Sequence, residues 1–245
     1  MALKFKKDCN SLCVVVPAYN EERGIENCVK KIIERLDNLP NTHLLVVNDG
    51  SHDQTLKILK FIQTKYHSKY SFFSHSHNQG YGSALSTGAE WANKMGFSHV
   101  LYMDSDLTNH PKDINKFYKY MNIDNIDCVK ASRFIKGGGM VGVSMKRKLF
   151  SIFGNVIARN CFRLNISDCT NGFRMVKTSF LCKIKLSSTG FSSIVEELYY
   201  LKTMRAVFAE VPVILTSRKQ SNTNFVYSLK TIVNYGKFAL KALFV

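Results

Sequence analysis

LCVVVPAYNEERGIENCVKKIIERL, which covers Leu12–Leu36, joins a short β-branched run to a longer stretch with apolar residues at helical spacing. The run Leu12–Val16 ends at Pro17 and predicts a buried strand, because β-branched residues favour strands and proline cannot continue one. Apolar residues three or four positions apart then predict an amphipathic helix over Glu21–Leu36. A strand followed directly by a helix is the repeating unit of an α/β fold.

The same alternation continues to about residue 131. Further strands are predicted at Leu44–Val47, Ser71–Ser74, His99–Met103 and Asp127–Ala131. Helices are predicted after Asp53 and at Gly82–Met95 and Pro111–Tyr120. The pattern predicts a mostly parallel sheet with helices on both faces, in which ligands bind at the carboxyl ends of the strands.

The pattern changes in the second half of the chain. Gly137–Gly139 predicts a mobile loop, and the later elements are predicted as helices at Lys146–Arg163, Ser192–Met204 and Phe225–Val245, with a strand at Val207–Leu215. We expect one main domain over residues 1–224 and a C-terminal amphipathic helix over residues 225–245. Two readings of that helix remain open: it packs on the domain, or it lies on an anionic lipid surface.

Charge is divided unevenly along the chain, whose formal net charge is +16. Residues 1–130 carry +2 and residues 131–245 carry +14. A basic field of this kind attracts phosphate, whether in nucleic acid, an anionic membrane or a phosphorylated substrate, although a merely soluble basic surface is the plainer reading. The seven cysteines include no CxxC pair, so neither a zinc site nor a disulfide framework is predicted.

Localisation is predicted from what the apolar stretches lack. The first residues contain no apolar core long enough for a signal peptide, and no stretch reaches the roughly 20 apolar residues that span a bilayer. We therefore expect a cytoplasmic protein that either stays in the cytosol or lies peripherally on the cytoplasmic face of a membrane, without crossing it.

Asp104-Ser105-Asp106 follows the predicted strand His99–Met103 directly. Two carboxylates one residue apart at a strand end can turn toward one hard divalent cation, Mg²⁺ or Mn²⁺. A lone DxD is more often a solvated turn, but its position at a strand end in an α/β sheet favours the metal reading.

Two other strand ends carry candidate residues. Asp49 is either a turn residue before Gly50 or a carboxylate that hydrogen-bonds a nucleobase or ribose. Asn20 can cap the helix after the first strand, whereas Tyr19, an aromatic residue at a sheet edge, is placed to stack on a base.

Four successive motifs identify a family resemblance: VVVPAYNEERGI, VVNDGSHDQT, NQGYGSALSTGAEWA and YMDSDLTNHP. They resemble the motifs of GT-A fold, family 2 glycosyltransferases. The later DCTNGFR at 168–174, with Glu197, Glu210-Val-Pro and Arg218, resembles the dolichyl-phosphate mannose synthase branch and its bacterial polyprenyl-phosphate relatives. The resemblance covers roughly residues 10–225.

This resemblance implies a GT-A fold and an inverting transfer of a hexose from GDP- or UDP-hexose to a polyprenyl phosphate. The implied nucleotide-sugar residues are Pro17, Ala18, Tyr19, Glu21, Asp49, Asp104 and Ser105. The implied metal ligands are Asp104, Asp106 and Thr108. The implied acceptor-phosphate residues are Arg133, Arg147, Ser151, Arg174 and Arg218, with Asp168 and Gly172 shaping the acceptor loop. Asp104, Asp106, Arg133 and Arg218 are the implied catalytic residues.

Two positions depart from the family pattern. Thr108 stands where the family commonly has Gln, and the late Arg-x-x-Gly-x-Ser-Lys motif becomes Arg218–Asn224, which lacks the final lysine unless Lys219 replaces it. Two alternatives remain: a related enzyme that uses a saccharide or protein hydroxyl, and a non-catalytic basic protein that binds lipid or nucleic acid. We expect no nucleic-acid partner, because the Asp104/Asp106 pair would repel phosphate without a cation between them.

Overall fold

A computed structural model describes residues 10–217 and 229–244 of the chain. Its strands are β1 (Leu12–Ala18), β2 (Thr42–Asn48), β3 (Tyr70–Ser74), β4 (His99–Tyr102), β5 (Cys128–Ser132), β6 (Gly139–Val141), β7 (Arg174–Lys177), β8 (Phe208–Pro212) and β9 (Ile214–Thr216). Its helices are α1 (Ile25–Leu36), α2 (Thr55–Tyr66), α3 (Tyr81–Lys94), α4 (Ile114–Tyr120), α5 (Met145–Phe162), α6 (Thr178–Leu181), α7 (Ser193–Thr203) and α8 (Leu229–Ala242). A 3₁₀ turn at Pro111–Asp113 precedes α4.

Seven strands form the main sheet in the order β3-β2-β1-β4-β7-β5-β8. The pairs β1–β2, β1–β4, β2–β3 and β5–β8 are parallel, and β7 lies antiparallel between β4 and β5. β6 and β9 form a separate two-stranded parallel sheet. The predicted mostly parallel α/β sheet is therefore confirmed.

Helices cover both faces of this sheet. As a result, β1 and β2 are buried along their whole length. Alternate residues of β1 point to opposite faces: Val14 and Val16 pack with α1, whereas Cys13 and Val15 pack with α3. α3 lies very close to the sheet, since a Cβ added to Gly88 would stand 2.3 Å from Val15 Cγ1. This packing fixes the start of α3 beside the ends of the central strands.

Several predicted elements need correction. Gly137–Gly139 is not wholly a loop, because Gly139 begins β6, whose pairing with β9 was not predicted. Val207–Leu215 breaks at Val213 into β8 and β9. β7 was missed because it is short and holds two cations, one of which, Arg174, is neutralised only by a distant residue.

Asn20 does not cap α1. That helix begins at Ile25 behind Gly24, and Asn20 Oδ1 instead accepts a hydrogen bond from His52 N at 2.9 Å. The amide therefore links the loop after β1 to the loop after β2, a contact that local capping rules do not foresee.

α8 packs on the domain by one face and exposes the other. Phe238, Ala239 and Ala242 are buried with residues of α5 and α7, while Val233 and Leu240 on α8 are 60% and 59% exposed. The predicted boundary after residue 224 and the predicted helix start at Phe225 lie outside the described residues. Of the helices within the described ranges, none combines the length and the hydropathy needed to cross a bilayer.

Candidate active site

A cavity of about 770 Å³ opens at the carboxyl ends of β1, β2, β4 and β5. Open parallel sheets bind ligands at this edge. The lining contains most of the residues singled out from the sequence: Pro17, Ala18, Tyr19, Glu21, Asp49, Asp104, Ser105, Asp106, Thr108, Arg133, Ser151 and Gly172. The fold thus gathers residues from positions 17 to 172 of the sequence around one space.

The first strand-end loop is braced by the second. Ser51 Oγ accepts from Asn20 N, and Thr55 Oγ1 accepts from Glu21 N, both at 2.9 Å. Asn20 takes a φ of +53°, a conformation that asparagine tolerates better than most residues. Tyr19 is held half-buried at this junction, where its ring lines the cavity.

Asp49 is 3% exposed and already accepts several hydrogen bonds from protein groups. Its Oδ1 accepts from Gln79 N at 2.9 Å and lies 2.7 Å from His75 Nδ1, and its Oδ2 accepts from Gly80 N at 2.8 Å. Thr87 Oγ1 in turn lies 2.9 Å from His75 Nε2. Asp49 therefore fixes the segment that leads into α3, and its contact with a nucleobase stays a prediction.

Asp104 and Asp106 are each held by a hydroxyl group. Tyr81 Oη donates to Asp104 Oδ1 at 3.1 Å, and Thr108 donates to Asp106 Oδ1 from both Oγ1 (2.8 Å) and its backbone N (3.0 Å). Leu107 between them takes a φ of +57°, which is strained for a leucine. Burial, and after it the charge of Asp106, raises the pKa of Asp104 to about 6.

This carboxylate pair fits a hard divalent cation. The cation would offset the burial and like-charge repulsion that raise the pKa of Asp104. Within residues 10–217 and 229–244, no cluster of three or more His, Cys, Asp or Glu side chains forms an alternative metal site. A pair of carboxylates leaves coordination positions for ligand oxygens and water, as Mg²⁺ usually requires.

Arg133 makes a bidentate ion pair with buried Asp168. Its Nε lies 2.6 Å from Asp168 Oδ2 and one terminal nitrogen lies 2.8 Å from Oδ1, while that nitrogen also donates to Thr170 Oγ1 at 3.0 Å. Arg133 is also among the residues that line the cavity. Its contact with a phosphate stays a prediction, and the pairing shows that Asp168 orients it.

Sequence reasoning missed the side chains that hold the loop after Asp168. Lys130 Nζ donates to Asn171 O at 2.9 Å, and Asn155 Oδ1 accepts from Cys169 N at 2.8 Å. Burial, followed by the charge of Arg174, lowers the pKa of Lys130. A lysine inside the apolar run of β5 was the one local signal, since a buried lysine needs specific partners.

Arg174 does not reach the cavity lining. It is 1% exposed, pairs with Glu197 through nitrogens 2.6 and 2.8 Å from the two carboxylate oxygens, and lies 4.6 Å from the centre of the Tyr102 ring. It also donates to Gly172 O at 2.7 Å. The structure therefore places Arg174 beneath the loop over residues 168–173, apart from the residues that line the cavity.

The remaining predicted acceptor residues are placed unequally. Ser151 lies on α5 and lines the cavity. Arg147 lies near the start of α5, and its side chain is outside the described part of the structure. Arg218 lies outside the described residues altogether.

Two chemically different halves make up the cavity. We call the strand-end residues Pro17–Glu21, Asp49 and Asp104–Thr108 the acidic half. The apolar half consists of residues from α5 and α8: Phe153, Gly154, Ile157, Ala158, Tyr235, Gly236 and Ala239. A Cβ added to Gly154 or Gly236 would meet no atom within 4 Å, so these glycines leave open space between the helices.

The sequence model of glycosyl transferase family 2 matches residues 13–184, and the chain belongs to that family. It is therefore a glycosyltransferase, which sets aside the alternative of a non-catalytic basic binding protein.

Two curated relatives are similar over nearly the whole chain. The polyprenol monophosphomannose synthase of Mycolicibacterium smegmatis is 25% identical, with 91% of this chain and 86% of the relative covered. The undecaprenyl-phosphate mannosyltransferase of Micrococcus luteus is also 25% identical, with 93% of each chain covered. These similarities agree with the branch resemblance seen in the motifs.

Solved structures confirm the GT-A fold. Glucosyl-3-phosphoglycerate synthase from Mycobacterium tuberculosis, in complex with Mn²⁺, UDP and phosphoglyceric acid, superposes with a TM-score of 0.66. It is 19% identical, and the match covers 97% of this chain and 78% of that one. The same enzyme bound to Mn²⁺ and UDP-glucose also gives a TM-score of 0.66, with 98% and 81% covered.

Proposed function

We propose that this glycosyltransferase moves a hexose from a GDP- or UDP-hexose to a polyprenyl phosphate, with inversion at the sugar carbon and with Mg²⁺ or Mn²⁺. The names of the two curated relatives, both of which act with a polyprenyl phosphate or polyprenol, support the acceptor class. The crystallised neighbours, which hold Mn²⁺ and UDP or UDP-glucose, support the donor class and the cation.

The observation that carries this proposal is the composition of the cavity. A half-buried carboxylate pair stands at one end, and an open space lined by α5 and α8 continues from it. A nucleotide-sugar is polar and would occupy the acidic half of the cavity, but it has no apolar part that would fill the apolar half. An acceptor with an anionic head and a long isoprenoid tail would use both, because apolar walls stabilise a tail that leaves water.

The charges suit this reaction. Asp104 and Asp106 would hold the divalent cation, which supplies positive charge for the departing diphosphate. Arg133, whose Nε and one terminal nitrogen pair with Asp168, would donate to a phosphate oxygen from its other terminal nitrogen. A phosphate monoester with a second pKa near 6 is already ionised at neutral pH, so the acceptor needs positioning more than a general base.

The surface around the apolar half supports peripheral binding to the cytoplasmic face of a membrane. The exposed apolar side chains of α5 are Met145, Leu149, Ile152, Phe153, Val156 and Ile157. Val233 and Leu240 on α8 are also exposed, as is Phe244 just after α8. Lys148, Arg159, Lys237 and Lys241 lie on the same two helices. Apolar residues among cations are typical of helices that lie on anionic lipid.

A transfer assay tests the proposal. GDP- and UDP-hexoses are incubated with the protein, Mn²⁺ and either a polyprenyl phosphate or the matching polyprenol without phosphate. We expect one hexose nucleotide to give a lipid-phosphate hexose and the polyprenol to give no product. Transfer to the polyprenol or to a saccharide, with none to the polyprenyl phosphate, would contradict the proposal.

Filling the space between the helices tests the tail path. Gly236→Leu places a side chain where no atom stands within 4 Å, so the fold can accept it while the cavity narrows. We expect a roughly tenfold rise in KM for a long polyprenyl phosphate and little change for an acceptor of two isoprene units. Equal effects on both acceptors would show that the tail does not pass Gly236.

A further inference from the structure

The segment over residues 187–191, between α6 and α7, connects the start of α3 with α8 in the cavity wall. Its last three residues line the cavity. Near the start of α3, Gly82 N donates to Thr189 O at 2.8 Å. From α8, Tyr235 Oη donates to Phe191 O at 3.3 Å. The segment therefore touches both α3 and one helix of the apolar half.

A buried carboxylate holds the first part of this segment. Glu196 on α7 is fully buried, and its two oxygens accept from Ser187 N and Ser188 N, both at 2.7 Å. α3 closes on the other side, since a Cβ added to Gly82 would stand 2.1 Å from Ser188 O. The segment is therefore held between α3 and α7, which gives Phe191 at its end a defined position.

The ring of Phe191 packs against the ring of Tyr81, the first residue of α3. The two ring centroids are 4.7 Å apart and the ring planes meet at 33°. Aromatic pairs at this distance contribute energy beyond their buried area. The torsion that turns a tyrosine ring has broad minima, so a packed neighbour is needed to hold one orientation. Phe191 is such a neighbour.

The hydroxyl group of Tyr81 acts on Asp104. Tyr81 Oη donates to Asp104 Oδ1 at 3.1 Å. A Cβ added to Gly172 would lie 3.1 Å from Tyr81 Oη and 3.6 Å from Asp104 Oδ2, so both oxygens lie on the side of this cavity-lining glycine. Because Oη is at the far end of the ring, a tilt of the ring would change the direction in which the Asp104 carboxylate faces.

We propose that Phe191 is a positioning residue for the carboxylate pair: its ring sets the orientation of Tyr81, and Tyr81 sets the orientation of Asp104. This inference rests on the proposed cation site and adds a residue that acts on the site without touching the cation or the substrates' reacting atoms. Because Tyr235 on α8 bonds to the backbone of Phe191, a helix of the apolar half helps to hold the acidic half in place.

The test is calorimetric titration of the protein with UDP and with GDP, each in Mn²⁺ and in EDTA. Phe191→Leu keeps an apolar side chain and removes the ring, so we expect affinity in Mn²⁺ to fall about fivefold and affinity in EDTA to stay within about twofold. Phe191→Tyr keeps the ring and should bind as the wild-type protein does. Phe180→Leu is the matched control, because Phe180 is half-buried and packs on the same cluster as Tyr81 but lies outside the cavity lining.

A double-mutant cycle tests whether Phe191 acts through Tyr81. Tyr81→Phe removes the hydroxyl group and should by itself weaken binding in Mn²⁺ about fivefold. If Phe191 acts through that hydroxyl group, adding Phe191→Leu to Tyr81→Phe should change the affinity by no more than about twofold. Independent effects would instead multiply to about 25-fold, and that result would overturn the inference.

Other results also decide the matter. Wild-type affinity of Phe191→Leu in Mn²⁺, or equal weakening in Mn²⁺ and EDTA, would overturn the inference and leave the proposed function standing. A wild-type protein that binds neither nucleotide more tightly in Mn²⁺ would contradict the proposed cation, and the inference would fall with it.

A second variant keeps the test decisive if the melting curve shows that Phe191→Leu does not fold. Tyr235→Phe removes the hydroxyl group that donates to Phe191 O and leaves both rings of the pair in place. We expect its affinity for the nucleotide in Mn²⁺ to fall about threefold, with affinity in EDTA unchanged. Wild-type affinity in Mn²⁺ would then overturn the inference.

Discussion

The acidic and apolar halves of the cavity are built in opposite ways. In the acidic half, hydroxyl groups hold both carboxylates of the pair: Tyr81 donates to Asp104, and Thr108 donates to Asp106. In the apolar half, two helices leave open space and expose apolar side chains to solvent. The difference suits the proposed substrates, because a diphosphate needs fixed charges whereas an isoprenoid tail needs only apolar surface.

The largest expected difference between the halves is in stability. Glu197→Ala leaves Arg174 buried without its counter-ion beneath the acidic half, and we expect the free energy of unfolding to fall by about 3–5 kcal/mol. The measurement is urea denaturation followed by circular dichroism.

A change in the exposed apolar face provides the control. Leu240→Ser on α8, where Leu240 is 59% exposed, should change the free energy of unfolding by less than about 0.5 kcal/mol. If Glu197→Ala and Leu240→Ser lowered the free energy of unfolding equally, the two halves would not differ in construction as we describe.

Lowering the pH should reduce the free energy of unfolding through two buried histidines, one on β2 and one on β4. Burial lowers the pKa of His43 to about 4, and burial followed by the charge of Lys177 lowers the pKa of His99 to about 4. Both folded pKa values lie below the unfolded value near 6.5, so the stability is present above pH 6.5 and is lost as the pH falls toward 4. We expect each histidine to account for about 3 kcal/mol of that loss.

His43→Phe keeps a ring stacked on Trp91, 5.5 Å away in the wild-type protein, and removes the titrating group. Unfolding measured at pH 7 and pH 4.5 should show a smaller acid loss in this variant. Leu240→Ser, which removes no titrating group, is the control and should leave the pH dependence as it is. An unchanged acid loss in His43→Phe would contradict the assignment.

Membrane binding should depend on the exposed apolar side chains of α8, together with the cations on the same helix. Replacing Val233 and Leu240 together with Ser should lower partitioning onto anionic vesicles by about 2 kcal/mol, because both side chains are mostly exposed and available to lipid. Flotation with vesicles of rising anionic content measures this, and binding of the wild-type protein should weaken with salt. Equal binding to neutral vesicles would remove the electrostatic part of the account.

The smallest expected effect lies inside the acidic half. Thr108→Val removes the hydroxyl bond to Asp106 and keeps the backbone bond, so we expect Mn²⁺-dependent nucleotide binding to weaken by about 1 kcal/mol. Tyr81→Phe makes the matching change at Asp104. Titration calorimetry with and without Mn²⁺ measures nucleotide binding by both variants. Binding at the wild-type level in both would show that the hydroxyl groups do not position the carboxylates.

The local sequence predicted that the residues of the acidic half lie together, because these residues follow strands that are recognisable as apolar runs. Asp104 and Asp106 come directly after an apolar run, and a parallel sheet brings such ends together. The apolar half was predicted only as two amphipathic helices, since periodicity does not say that Gly154 and Gly236 line the same space.

Ion pairs between residues far apart in the sequence were not predicted. Asp168 pairs with Arg133 thirty-five positions away, and Glu197 pairs with Arg174 twenty-three positions away. Nothing local distinguishes a cation that meets a buried carboxylate from one that faces a substrate phosphate. For the same reason β7, whose sequence contains Arg174, was not predicted as a central strand.

The most direct test of the account is the rate of hexose transfer to a polyprenyl phosphate by the wild-type protein and by Asp106→Ala, at saturating Mn²⁺ and donor. Because Asp106 would hold the cation that receives the charge of the departing diphosphate, we predict a loss of at least about a hundredfold with the fold intact. Turnover by Asp106→Ala equal to that of the wild-type protein would contradict the account.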